Sequence, residues 1–409
     1  MRTSVGLCIL LSLAASVHGA AGELRPVEFQ PGQALRQQGL NAYGQRFAKR
    51  TAGDGTVNEH AMVAVVRSGE PAMRVAVDAK SPDAKAPDVV RLDLAGKGRF
   101  DDETVVPLAG TQQGTTFHGQ VGPATIRVRI GGRTIPVRVT GSYYRSNTYR
   151  HLALMLGTAA EGDCRFGGKT RRVRIVDGDS NLRIGDPATR TKSGSRVVGL
   201  GAGDTLVIDQ GDGTFGGSVL RTYLGSPVLM DGVWYEVTVT GGGTKVAAKP
   251  LALKTGRIRV PHEQWSATFI GEKFFLAVTG GKQPVSLPAD RYIITDYRET
   301  VEVGDGKMAT LSRSGRREAY AGKARVFDVP ADKTTDIAVG SPLSAGLAIS
   351  KPGGIFSARQ VRIDLELTDS SGAAIGGLTV PGVGRPACPT VSVFDAKGSP
   401  VYNCKLEYG

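Results

Sequence analysis

Apolar and polar residues alternate with a period of two along much of this chain, the signature of strands that bury one face. Ile126-Arg127-Val128-Arg129-Ile130 and Arg133-Thr134-Ile135-Pro136-Val137-Arg138-Val139 flank Gly131-Gly132. This spacing predicts a hairpin with Ile126, Val128, Ile135 and Val137 on the buried face. Pro136 cannot donate to a ladder, so its strand is expected at a sheet edge. A second hairpin is predicted where Pro227-Val228-Leu229-Met230 meets Val233-Trp234-Tyr235-Glu236-Val237-Thr238-Val239 across Asp231-Gly232. Helical spacing is confined to Ala34 to Arg50, through Leu35, Leu40, Tyr43 and Phe47, and is weakened by Gly39 and Gly44.

These elements predict a mainly β chain of several small antiparallel sheets or β-sandwich units with little helix. Of 409 residues 56 are glycine, about twice ordinary usage, which suits tight turns that need positive φ. A hydrophobic content of 40% argues against disorder. The length predicts a leader over residues 1–20, an N-terminal β-rich unit over 21–160, a basic central unit over 161–252 and a sandwich-like unit over 253–409.

Arg2, the apolar run Val5 to Val17 and the small residues Gly19, Ala20 and Ala21 form the layout of a secretory signal peptide. The run is shorter than the ~20 residues that span a bilayer, and no transmembrane segment is expected. An exported location follows, whether secreted, periplasmic or on the cell surface. Beyond the leader stand Cys164, Cys388 and Cys404. If Phe394 pairs with Gly398 across Asp395-Ala396-Lys397-Gly398, Cys388 falls opposite Cys404 and the two can form a disulfide, leaving Cys164 a free buried thiol. The alternative is three reduced cysteines.

Turn motifs recur. Leu287-Pro288-Ala289-Asp290 echoes Val329-Pro330-Ala331-Asp332, and Asp369-Ser370-Ser371-Gly372 before Ile375 echoes Asp395-Ala396-Lys397-Gly398 before Val401. With Val361-Arg362-Ile363-Asp364-Leu365-Glu366-Leu367 and Arg291-Tyr292-Ile293-Ile294, residues 283–409 resemble immunoglobulin-like and carboxypeptidase-regulatory-like sandwiches. That resemblance implies a spacer or binding module. Most of the mature chain also resembles a group of uncharacterised exported bacterial proteins with degenerate D-x-N-x-x-G turn repeats. The matching pieces are Val260-Pro261-His262-Glu263-Gln264-Trp265 and Leu406-Glu407-Tyr408-Gly409. This second resemblance implies export and β architecture and brings no activity.

Three loops follow apolar strands and resemble degenerate calcium loops. They begin at Asp177 (Asp177-Gly178-Asp179-Ser180-Asn181), Asp209 (Asp209-Gln210-Gly211-Asp212-Gly213) and Asp93 (Asp93-Leu94-Ala95-Gly96-Lys97-Gly98). Calcium takes six to eight oxygens, which alternate Asp and Asn side chains can supply. Only the first loop keeps Asp177, Asp179 and Asn181 as candidate ligands. Leu182 replaces its turn glycine, and Ala188 stands in place of a bidentate Glu. An Asx-stabilised turn is the competing reading. Apart from calcium no cofactor is expected.

Catalytic signatures are thin. His60, His118, His151 and His262 show no metal-ligand spacing. His262 and Glu263 are adjacent on an expected strand and would point to opposite faces. Gly199-Leu200-Gly201-Ala202-Gly203-Asp204 imitates a dinucleotide fingerprint, but a strand-like Thr205-Leu206-Val207-Ile208 follows it in place of a helix. No catalytic residue is assigned.

The formal net charge is +13, and +12 once Arg2 of the leader is subtracted. Between Arg165 and Arg196 nine basic residues face three acidic ones. Arg127, Arg129, Arg172 and Arg174 alternate with apolar neighbours and are expected to be exposed, with Tyr143 and Tyr144 as nearby aromatic contacts. A basic exported surface points to an anionic polysaccharide, the envelope or an acidic protein as partner, with no nucleic acid expected. The bland alternative is a solvated face that confers solubility. The sequence therefore predicts a structural or binding protein, with a hydrolase of extracellular polymer as the alternative. A deep cleft with two carboxylates, or a Ser–His pair, would mark the hydrolase.

Overall fold

The computed structural model describes residues 21–29, 40–43, 47–49, 61–67, 73–81, 86–94, 97, 99–100, 104–130, 132–193, 196–200, 203–211, 213–216, 219–302, 308–314, 325–350, 362–381, 384 and 390–405. The expected leader and Cys388 lie outside them. The chain is mainly β, and among the described residues no helix is long and apolar enough to cross a membrane.

Strands between residues 40 and 157 form a nine-stranded sheet, in which Thr116–Ile130 and Arg133–Arg145 are the long central pair. Ile126 lies opposite Val137 and Val128 opposite Ile135, as the alternation predicts. Arg133–Arg145 is not an edge strand, because Arg150–Gly157 pairs with its other side. That second ladder ends at Arg138 opposite Gly157, so Pro136 sits just past it where no donor is needed. Leu40–Tyr43 and Phe47–Lys49 are strands in this sheet, which corrects the helical reading of that stretch. Pairing to Arg150–Gly157 and Met62–Arg67 outweighs a weak helical period interrupted by glycine.

A second sheet of eight strands runs from Ala159–Phe166 to Lys245–Leu251 and takes in Gly22–Val27, which pairs with both of those strands. The first strand of the chain thus belongs to the second sheet. The Val228–Met230 hairpin forms as predicted, with Met230 opposite Val233 and positive φ at Asp231 and Gly232. Its strand has two buried faces. Tyr235 joins the core of the eight-stranded sheet, while Trp234 joins that of the following sheet.

The third assembly pairs a six-stranded sheet around Trp265–Gly271 and Asp290–Glu302 with a three-stranded one centred on Thr255–Arg259. The two Pro-Ala-Asp echoes flank that central strand. Ala289 donates its N–H to the Lys254 carbonyl and Asp332 donates to Thr255, with Leu287 and Val329 buried beside them. Two further hairpins follow, Ser344–Ser350 with Arg362–Thr368 and Thr390–Phe394 with Pro400–Lys405. In the last, Phe394 pairs with Pro400 and Val391 lies opposite Cys404. This corrects the expected register. Asp395 accepts N–H bonds from both Lys397 and Ser399, so the turn holds a longer loop than a Phe394–Gly398 pair allows. Cys164 is free and buried, and burial pushes its thiol up to about 12.

Candidate functional sites

The three Asp-led loops share one local device. Each first Asp accepts backbone N–H groups of its own loop: Lys97 for Asp93, Gly211, Gly213 and Phe215 for Asp209, and Asp179, Asn181 and Leu182 for Asp177. These are Asx-type turns. At Asp209 the bonds, that from Gly213 foremost, hold the carboxyl below its ordinary range.

The Asp177 loop does more. Leu182, standing where a calcium loop has glycine, adopts φ 62° and is buried in the core of the nine-stranded sheet. Ser180, also at positive φ, accepts the Leu156 N–H of that sheet through its hydroxyl. The loop leaves the eight-stranded sheet after Val176 and so fastens the two sheets together. Burial of Leu182 explains why a residue that strains the backbone occupies the position.

This packing brings in Asp204, which precedes strand Thr205–Asp209. Candidate ligand oxygens of Asp177, Asp179 and Asp204 lie within 4.8 Å of one another. Asp177 and Asp204 are fully buried. Asp204 accepts N–H bonds from Gly185, Asp186 and Gly178. Burial raises both carboxyls, Asp204 to about 7 and Asp177 well above its usual range, and Asp204 and Asp179 push Asp177 further. No ion pair is made to the three among the described residues. The buried charge is therefore neutralised by a proton or a cation.

The structure sets a further carboxylate beside the predicted ligand set. Asn181 turns its amide nitrogen to Asp179 and Asp186, and its oxygen accepts the Arg183 N–H. Ala188 is buried and offers no oxygen from its side chain. Asp204 is the third carboxylate, hidden in the sequence inside the spurious glycine fingerprint.

The basic candidates separate. Arg127 and Arg129 are exposed on the nine-stranded sheet, as expected. Arg172 and Arg174 belong to the eight-stranded sheet, and Arg174 is buried, contrary to expectation. Its guanidinium pairs with buried Glu161 and lies 4.5 Å from the Phe215 ring centroid. Arg172 is exposed but also bonds Glu161, at 2.8 Å, and the Gly213 carbonyl. Both are tied to an internal carboxylate under the Asp209 loop. Tyr143 is a core residue at 2% exposure, its ring 6.0 Å from Phe117. Tyr144 is half-buried on the opposite face, 4.8 Å from His118 and 6.0 Å from exposed Tyr149.

A cleft of about 1080 Å³ lies between the eight-stranded and six-stranded sheets. Strand register builds its floor from two rows, Thr279–Ser266–Arg298–Ser312 and Ala277–Thr268–Asp296–Ser314. Arg221, Pro227 and Leu229 form part of the facing wall. Arg221 and Arg298 are exposed and make no ion pair among the described residues, whereas Arg313 is buried against Asp369 at 3.0 Å. Among the described residues Asp296 is the one carboxylate lining the cleft. No residue of these rows stood out in the sequence, because a polar strand face has the same pattern whether it is enclosed or solvated. No protein-family model, curated protein or solved structure matches the chain.

Proposed function

We propose that this is an exported binding protein whose cleft between the eight-stranded and six-stranded sheets holds a segment of anionic polysaccharide. The observation that carries the reading is the lining: Arg221 and Arg298, which make no ion pair among the described residues, beside rows of Ser and Thr hydroxyls. Guanidinium groups present forked donors to carboxylate or sulfate, and hydroxyls donate to or accept from sugar hydroxyls. Arg172 and Arg174 leave the ligand set, because Glu161 engages both. Exposed Arg127 and Arg129 assist by attracting the polymer at longer range. Calcium is proposed at Asp177, Asp179 and Asp204, where it would neutralise a buried joint between two sheets.

Calorimetric titration with an acidic oligosaccharide tests the reading. Arg221→Ser with Arg298→Ser should abolish binding, and Arg127→Ser with Arg129→Ser should weaken it only at low salt. Unchanged affinity in the first double variant would overturn the cleft assignment.

A further inference from the structure

The Val260-Pro261-His262-Glu263-Gln264-Trp265 segment holds a second arrangement. His262 lies in the turn between Thr255–Arg259 and Trp265–Gly271, not on a strand. Its neighbour Glu263 points away and pairs with Lys282. The carboxylate that His262 meets is Glu299, wholly buried, at 3.2 Å from Nε2. The same nitrogen lies 2.7 Å from the Val339 carbonyl oxygen. A ring nitrogen facing two acceptors carries the proton, which leaves Nδ1 with the lone pair. Nδ1 is 3.4 Å from Oγ of half-buried Ser341, so the hydroxyl donates to it.

The rest of the environment holds this order in place. Glu299 accepts the Tyr297 hydroxyl at 2.6 Å and the Ser341 N–H at 2.7 Å. Gly340 has φ 81°, and a Cβ there would meet Glu299 Oε2 at 2.1 Å, so only glycine lets the Ser341 loop close over the carboxylate. Gly340 donates its N–H to Asp369, which is paired with Arg313. The charged and titratable groups around His262 are thus Glu299, Tyr297 and, behind Gly340, the Asp369–Arg313 pair.

We infer that Ser341 is an activated nucleophile, with His262 as its general base and Glu299 as the positioning residue, for acyl transfer from a carboxylic ester. Oγ attacks the ester carbonyl carbon as its proton passes to Nδ1, and Glu299 stabilises the imidazolium that forms. The carbon–alkoxide bond then breaks, and Nδ1 returns the proton to the departing alcohol. Water attacks the acyl-serine with His262 again as base, releasing the carboxylic acid and restoring Ser341. A separation of 3.4 Å is of the loose kind that tightens on substrate binding. The Gly340 and Ser341 N–H groups are committed to Asp369 and Glu299, so neither is free to meet an oxyanion. Turnover is expected to be slow for that reason, and the test reads covalent capture.

The full chain is incubated with an alkyl fluorophosphonate, which forms an Oγ–phosphorus bond as fluoride leaves, and the adduct is located by peptide mass spectrometry. The expected result is one adduct on Ser341, formed faster in the native chain than in the urea-unfolded one. Ser341→Ala should give none. His262→Gln should slow labelling by ~10²-fold or more with the circular dichroism spectrum unchanged. Absence of Ser341 labelling, or equal labelling of folded His262→Gln, overturns the inference. Should that variant fail to fold, labelling of native wild-type Ser341 no faster than in the urea-unfolded chain does so as well.

Discussion

Raising pH from 5 to 8 should destabilise the chelated protein through Asp204, and the sign follows from its burial. Burial disfavours the ionised carboxyl, so its folded value of about 7 lies above the ordinary 3.8. Between those values the folded state binds more protons than the unfolded one. The stabilisation is complete below about 3.8 and is lost as pH rises through about 7. At ~1.4 kcal/mol per pH unit the whole loss is roughly 4 kcal/mol, of which roughly 3 falls between pH 5 and 8. Asp177, displaced in the same direction, adds to it. Urea unfolding followed by circular dichroism at each pH, with chelator, measures the loss. Asp204→Asn cannot titrate and should flatten the curve by that amount. Calcium binds the ionised form, so its stabilising effect should be absent at pH 5 and about 2.7 kcal/mol at pH 8 with calcium at ~100 times its Kd. If wild type and Asp204→Asn lose equal stability across this range, the buried-carboxylate argument is wrong. A calcium effect of zero at pH 8 would reduce the loop to an Asx turn.

Three other outcomes are expected. Glu161→Ala strands the buried Arg174 guanidinium and should cost about 3–5 kcal/mol in denaturant unfolding, whereas a surface pair would cost under about 1. Cys164 should resist a thiol-specific reagent at pH 8 until the protein is unfolded, since its thiol is buried and its ionisation lies at about 12; fast reaction of the native chain would contradict its placement. Gly157→Ala should destabilise by roughly 1–3 kcal/mol, because a Cβ there would lie 2.4 Å from the Phe29 ring, and Phe29→Leu in the same chain should recover part of the loss.

What the sequence determined by itself is the local grammar. Period-two alternation and turn residues act between neighbours, so the Gly131-Gly132 and Asp231-Gly232 hairpins and the Asp-led turns were legible before any sheet was seen. What only the tertiary structure decided is which of these units meet. Gly22–Val27 finds its partners more than a hundred residues away, and Leu182 leaves one sheet to fill the core of another. An arginine between apolar residues reads the same whether it faces water, as Arg127 does, or Glu161, as Arg174 does. Asp204 beside Asp177, and Ser341 beside His262 and Glu299, are likewise separated along the chain and joined by sheet packing. Strand pattern sets which face a side chain takes, but charge compensation and site assembly depend on long-range contacts, and no local period encodes those.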